Sequence, residues 1–454
     1  MRLIIPTIAI ILLVMWAQDT VRGQEDVYGR LEQAWAGYLD PDDDLGWPMK
    51  VHSLQASPYK FWRGTKDLYY QWAHEACADW LANPDSYGIT HGDLHLGNIG
   101  TYAAGDRLGE MAFGMVDFDD SAVLPVQLEL LQGMITLRLV ASANDLPMDE
   151  RSAAAVCAAL LDAYAQAYAS GKSATQLLED DPQVARLLTR TSRPYERVLR
   201  DDVSGDRIVR QVAGDRGKIK EIFRPAGDKA DAIAAALADA IAADASLAEK
   251  FRLHDRESLR AAILDIAWRT RVGSSGSQGL GKLFVLMDSP LKDRSGPTLI
   301  YLKQTIPSAA ERAGVIPRSS YLPSARLLAH ARALQSPDAF LGGWCMVEDA
   351  SYWISLREPW SDELDADDVR TFDDLLAAAR IWGTVAGSAH AAAGCPDVSR
   401  DSRLGEQLVG RSRAYMAFNR AAFDAFSADP QARQAAAAAA QHMAELNNTY
   451  RVDP

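Results

Sequence analysis

The chain has 454 residues, of which 48% are hydrophobic and 24% charged, and it carries a net charge of −14. That length allows two or three domains or lobes, and that apolar content allows a sizeable core. The acidic balance excludes bulk nucleic-acid binding, which needs a basic footprint, yet permits a local basic pocket for phosphates.

At the N-terminus, Met1-Arg2 precedes the uncharged run Leu3–Ala17. That run has the length of a signal-peptide core and is short for a membrane span. Residues 1–23 are therefore expected to be a signal peptide, cleaved near Gly23-Gln24, or a membrane anchor with a bilayer contact through residues 3–17. Either places the protein outside the cytoplasm (periplasmic or secreted) or on a membrane; a misassigned start would leave it cytoplasmic. Residues 26–90 read as mostly helical, with a turn at Asp40-Pro41-Asp42 and a helical apolar spacing from Trp62 to Trp80. Short strands are expected at Ile89-Thr90 and Met111–Val116, and helices over 122–170. Residues 186–224 are locally basic, with eleven Lys/Arg against six Asp/Glu. This stretch, with Arg190, Arg193, Arg197, Arg207, Arg210 and Arg216, reads as a solvated face or, if functional, as a seat for an anionic acceptor.

Helices are expected near 229–251 and 255–268. Lys282–Met287 and Thr298–Gln304 are β-like runs, followed by a helix over about 323–335. A hairpin is expected at Trp344–Val347 and Tyr352–Leu356, then helices at about 367–392 and 404–448. Cys77, Cys157, Cys345 and Cys395 form no C-x-x-C pair and have no histidine at zinc spacing. They are expected to be buried free thiols, with disulfides open if the chain is exported.

The strongest chemical signal is His91-Gly92-Asp93-Leu94-His95-Leu96-Gly97-Asn98, followed by Asp117-Phe118-Asp119-Asp120. Phosphoryl transfer needs one carboxylate to orient or deprotonate a hydroxyl. It also needs an amide oxygen and a second carboxylate to hold Mg²⁺ against the phosphates. Asp93 suits the first role, and Asn98 and Asp117 the other two. Asp119 is a candidate for indirect support of the metal; His91 and His95 read as structural, with His95 the more ambiguous. A second signal is the glycine run Gly273-Ser274-Ser275-Gly276-Ser277-Gln278-Gly279, then two β-like runs, the second carrying Lys303 near its end. Glycines let backbone N–H groups approach phosphates, and a lysine on a neighbouring strand supplies a charge to them. Gly273, Ser274, Gly276, Ser277, Gly279 and Lys303 are thus the expected nucleotide-binding residues. Glu311 is a candidate partner for Lys303. Arg63 is an anchor for an anionic group or an interhelical salt bridge.

The first pair of motifs, H-G-D-x-H-x-x-N and D-F-D, resembles the catalytic and metal loops of aminoglycoside and choline phosphotransferases in the kinase-like superfamily. In ordinary kinases the glycine loop and lysine come first; here they follow the catalytic loop. That order is similar to the bacterial family called domain of unknown function 2252. The resemblance rests on Met49, Ala56–Gly64, the G-D-x-H-x-x-N and D-F-D loops, Pro125, Glu129, Val272–Gly276, the lysine strand and Gly387–Ala391. It covers about residues 45 to 395, with departures at Gln304, where the family often has glutamate, and at Glu129 in place of aspartate.

The resemblance implies an α+β, protein-kinase-like two-lobe fold with lobes in permuted order. Residues 24–268 would form a mostly helical catalytic-loop lobe and 269–360 a small antiparallel nucleotide-binding lobe; helices over 361–454 would pack on the large lobe. The family resemblance implies no known substrate; the two motif loops point to ATP- and Mg²⁺-dependent phosphoryl transfer to a hydroxyl of an unknown acceptor, expected to be a small molecule. A nucleotidyl-transfer variant and a pseudokinase-like binding module without turnover remain open, as does the oligomeric state.

Overall fold

The computed structural model describes residues 26–39, 45–103, 111–191, 199–200, 202–209, 211–213, 219–251, 253, 255–271, 277–288, 296–335, 342–357 and 362–449. The leader-like run 3–17 lies outside them. Among the described residues no helix is long and apolar enough to cross a membrane. All four cysteines are buried and free.

Helices α1 (Val27–Trp35), α2 (Gly46–Leu54), α3 (Pro58–Gly64) and α4 (Lys66–Ala76) open the chain. Ser57 caps α3, accepting from the Lys60 N–H, and Pro58 sits in its first turn, where no donor is needed. Four short strands follow: β1 (Tyr87–Thr90), β2 (Ile99–Ala103), β3 (Met111–Met115) and β4 (Ala122–Pro125). β1 pairs with β4 and β2 with β3, both antiparallel. Loop 91–98 runs from β1 into β2, and loop 116–121 runs from β3 into β4. The pairs Thr90↔Ala122 and Ile99↔Met115 therefore hold both motif loops side by side.

Behind them lies α5 (Val126–Ala143), buried along nearly its whole length. Next comes α6 (Glu150–Ser170), which packs on a late helix described below.

A seven-stranded antiparallel sheet forms the second part of the molecule. After a small hairpin of β5 (Val203–Ser204) and β6 (Arg207–Ile208), its strands begin with β7 (Gln211–Ala213) and β8 (Ile219–Pro225). Helix α7 (Ala230–Ala243) intervenes, then β9 (Ile263–Arg271), β10 (Lys282–Met287) and β11 (Thr298–Thr305). Short helix α8 (Ala309–Arg312) and α9 (Pro323–Leu334) precede the hairpin of β12 (Gly343–Val347) and β13 (Ala350–Leu356). The strand order is β12-β13-β11-β10-β9-β8-β7. One sheet face, with Leu283, Val285, Ile300, Leu302 and Ile354, packs on Ile233, Leu237 and Ile241 of α7. The other carries Phe284, Leu286, Leu299 and Tyr301. β10 is buried at all six positions, as expected of a strand covered on both sides.

Helices α10 (Phe372–Ala392), α11 (Leu404–Ala428) and α12 (Pro430–Thr449) close the chain. A Cβ on Gly383 or Gly387 would collide with the carbonyls of Leu160 or Tyr164 on α6. The late glycine motif is thus a close helix crossing.

Several assignments differ from the sequence reading: Ala122–Pro125, expected to open a helix, is strand β4. The helix expected over 255–268 stops at Ala261, and Ile263–Arg271 is strand β9. Its pairing with β8 and β10 is long-range and overrides local propensity. The basic stretch contributes β7 and β8, so the boundary drawn at 268/269 falls within β9. The last expected helix is two, divided at Asp429-Pro430.

Candidate active site

The loop from His91 to Asn98 is fixed from three sides. The His91 N–H donates to Glu129 Oε2 at 2.7 Å, and its ring Nε2 lies 2.8 Å from the Val116 carbonyl, tying the first motif to the second. The Asp93 N–H donates to His91 Nδ1 at 3.3 Å, so one neutral tautomer satisfies both contacts. Tyr70 Oη and Gln132 Nε2 donate to the Gly92 carbonyl at 2.8 and 2.9 Å. Gly92 has φ +79°, and a Cβ there would collide with the Asp120 carbonyl. Asn98 Nδ2 donates to the Asp93 carbonyl at 2.8 Å, which leaves the amide oxygen as the end able to face a cation.

Asp93 itself meets Lys66 from the start of α4, Nζ to Oδ1 at 2.7 Å. Lys66 is buried and stands 3.0 Å above the Trp62 ring. Burial pushes the Asp93 carboxyl up to about 7, against the pull of Lys66, and burial brings the Lys66 ammonium down to about 8. Arg63, from the end of α3, donates through Nε to His95 Nε2 at 3.0 Å. Burial, then Arg63 and Lys66, hold the His95 ring well below the usual histidine range, hence neutral.

Asp117 adopts φ +66°, left-handed and uncommon for a non-glycine residue. Lys303 reaches it from β11: Nζ is 2.7 Å from Asp117 Oδ1 and 2.6 Å from Asp119 Oδ2. Burial pulls that ammonium down, but the two carboxylates outweigh it and hold Lys303 well above its usual range. Asp119 is pushed up to about 6, by burial first and by Asp117 besides. Its Oδ1 is buried without a hydrogen-bond partner. Asp120 is spent structurally, accepting from the Ala309 N–H at 2.6 Å.

Two cavities meet at Asp117. The smaller, about 60 Å³, is lined by Asp93, Lys66, Arg63, Asp117, Asp119, Asp120, Arg312, Trp35 and Ser277. The larger, about 560 Å³, is lined by Asp117 and Lys303, by Arg269, Phe284, Tyr301 and Trp353 on the sheet, by Thr101–Ala103 of β2 and by Leu328 and Arg332 of α9. Arg269 is bound to Glu221 through Nε at 3.1 Å and lies over the Phe284 and Tyr301 rings.

Across residues 44–442 the chain matches the model of DUF2252, described as an uncharacterized protein conserved in bacteria. The chain belongs to that family. Neither a curated protein nor a solved structure matches it.

In this DUF2252 chain, the residues singled out from sequence largely assemble. Arg63, Asp93, Asp119 and Ser277 line the smaller cavity, Lys303 the larger and Asp117 both, while Asn98 and His95 stand behind, hydrogen-bonded to the Asp93 carbonyl and to Arg63. Gly273, Ser274 and Gly276 lie outside the described residues. Gly279, at φ +83°, packs against Leu39 and Gly46, so its glycine serves that contact.

Glu311 is not the partner of Lys303. Its carboxylate accepts from Ser308 and the Ser319 N–H, closing a capping box on α8, and lies 3.8 Å from Arg326. Asp117 and Asp119 take the lysine instead. Arg63 makes its contact with a histidine, not the interhelical salt bridge that was its alternative.

Sequence reasoning missed Lys66, Trp35 and the buried Arg312–Asp67 pair at 2.8 Å. The available signal was Lys66-Asp67, one residue beyond the Arg63-Gly64 motif.

Proposed function

We propose that the protein is a kinase-like phosphotransferase, using ATP with Mg²⁺ to phosphorylate a hydroxyl of a small-molecule acceptor. The observation that carries this reading is the meeting of Lys303 with Asp117 and Asp119, 186 residues apart in sequence, beside Asp93 and Asn98. In this reading the sheet is the small lobe. Adjacent antiparallel strands β9, β10 and β11 place the lysine on the third, after the glycine run, as kinase small lobes do. The catalytic-loop lobe precedes it, so the chain order is permuted.

The donor set fits the metal. Asp117, Asp119 and the Asn98 amide present oxygen, which Mg²⁺ prefers, and Asp119 Oδ1 is a buried oxygen lacking a donor. Bound there, Mg²⁺ would neutralise charge on the phosphates. The larger cavity, at about 560 Å³, falls within the range of roughly 300–1,000 Å³ usual for ligand sites. Phe284 and Tyr301 offer it aromatic walls, and Lys303 a charge for the phosphate chain. On the other side of Asp117, Asp93 orients the acceptor hydroxyl and takes its proton. A carboxyl raised to about 7 is basic enough for that near neutral pH.

The second reading is a nucleotide-binding module without turnover. It is favoured by one feature: Asp93 and Lys303 are each already paired within the chain. Export or anchoring through residues 1–23 is part of the proposal and bears on which reading holds, since ATP is scarce outside the cytoplasm.

The deciding experiment incubates purified chain 24–454 with γ-labelled or α-labelled ATP, Mg²⁺ and a small-molecule extract. Label transferred from the γ position supports the phosphotransferase. Label from the α position means nucleotidyl transfer, and binding without transfer means the module.

A further inference from the structure

We propose that Arg63 seats an anionic group, a carboxylate or phosphate, carried by the acceptor; this rests on the phosphotransferase reading of the same site. The cations around the smaller cavity are otherwise spent. Lys66 is paired with Asp93 at 2.7 Å and Arg312 with Asp67 at 2.8 Å. Lys303, beyond Asp117, is paired twice. Among the described residues no carboxylate pairs with Arg63. Its Nε donates instead to the neutral His95 ring at 3.0 Å.

The guanidinium is nonetheless held in place. A Cβ on Gly97 would lie 3.2 Å from Arg63 Nη2 and 3.4 Å from its Cζ, so the motif glycine makes room for it. The Tyr59 ring lies 5.9 Å from Cζ. A fixed guanidinium with no carboxylate in ion-pair contact, among the described residues, is suited to bidentate capture of a planar carboxylate or a phosphate.

Position separates this anion from the nucleotide's. Arg63 lines the smaller cavity with Asp93, whereas Lys303 lines the larger one, and Asp117 stands between them. An anion on Arg63 is therefore beside the base that acts on the acceptor hydroxyl. At about 60 Å³ the smaller cavity admits a few waters or the reacting end of a molecule. An acceptor with its hydroxyl close to its anionic group, such as a hydroxy acid or an alcohol phosphate, fits that geometry; a polycationic acceptor does not.

The test uses inorganic sulfate as a non-transferable probe, titrated calorimetrically into chain 24–454 alone, with Mg·ADP, and with an Mg-bound ATP analogue whose β–γ link does not hydrolyse. Sulfate is expected to bind in all three states. Arg63→Met should weaken it at least ten-fold and Arg63→Lys less, with the analogue's affinity unchanged in both. Absence of sulfate binding, or equal binding by Arg63→Met, overturns the proposal. So does binding that survives Mg·ADP but vanishes with the analogue, because Arg63 would then serve the nucleotide's terminal phosphate. Should Arg63→Met not fold, by circular dichroism, Arg63→Lys carries the comparison. If the analogue does not bind at all, the phosphotransferase reading fails, while the nucleotide-free titration still decides whether Arg63 seats an anion.

Discussion

Asp93 shares its burial with Lys66, and that neighbour shapes what each substitution should do. Asp93→Asn keeps the shape and removes the base. On the phosphotransferase reading, in which Asp93 acts on the acceptor, turnover should fall by about 10²–10⁴-fold while Mg·ADP affinity stays near wild type. Wild-type turnover in the variant would remove Asp93 from the mechanism. Asn98→Ala and Asp117→Ala should instead abolish the Mg²⁺ dependence of nucleotide binding, read by calorimetry with and without the metal.

His330, on α9, faces Ser121 Oγ at 3.1 Å with Arg326 and Glu311 nearby. Burial, then Arg326, lowers its pKa from 6.5 to about 4. The unfolded chain therefore takes the proton more readily, and folding stability, full above pH 6.5, is lost as pH falls toward 4. The ceiling of that loss is about 3 kcal/mol. Urea unfolding at pH 7.5 and 4.5 should show a flatter acid limb for His330→Gln; coincident limbs would clear His330 of the effect. That Asp93, Asn98 and Asp117 lie on neighbouring loops could be read in sequence, because one loop carries two of them and a short hairpin leads to the third. The lysine's partner was not: helix capping by Glu311 competes with pairing, and only the spatial arrangement shows that capping wins.

At the level of elements, most strands could be read from β-like runs, and β10, β11, β12 and β13 stand where they were expected. Strand β9 was read as helix because Ile263–Arg271 mixes apolar and charged residues without a clean period, and its partners lie outside the local window. The departure at Gln304 also acquires a reason. Its Oε1 accepts from the Gly281 N–H at 2.7 Å while its Nε2 donates to the Tyr38 carbonyl at 3.3 Å. The side chain links the loop before β10 to the segment after α1. A glutamate could make the first bond and would set a carboxylate against the carbonyl in place of the second. Gln304→Glu should therefore cost about 1–3 kcal/mol, measured as a lower denaturant midpoint with unchanged slope. An unchanged midpoint would mean the link to Tyr38 carries no stability.

For the whole molecule, the mixture of helices with antiparallel sheet could be read, but not where the large sheet begins, since its first strands hide in a charged stretch. Export is the other question at this scale. Residues 1–30 fused to a reporter active only outside the cytoplasm should yield active reporter; a wholly cytoplasmic signal would refute the leader and remove the main objection to an ATP-using enzyme. The two ends of the described chain, meanwhile, meet. Val27, Leu31 and Trp35 of α1 share one apolar cluster with Phe426 of α11 and with Ala432 and Ala436 of α12. A growing chain cannot complete that cluster until α11 and α12 have been made, so among the described helices α1 waits long for its partners. Trp35 also forms part of the smaller cavity's wall. Deleting residues from 429 onward would therefore not trim a tail: it would strip the cover from α2, on which α12 packs, and open the apolar cluster that holds Trp35 in the wall of a cleft whose motif loops lie more than three hundred residues earlier.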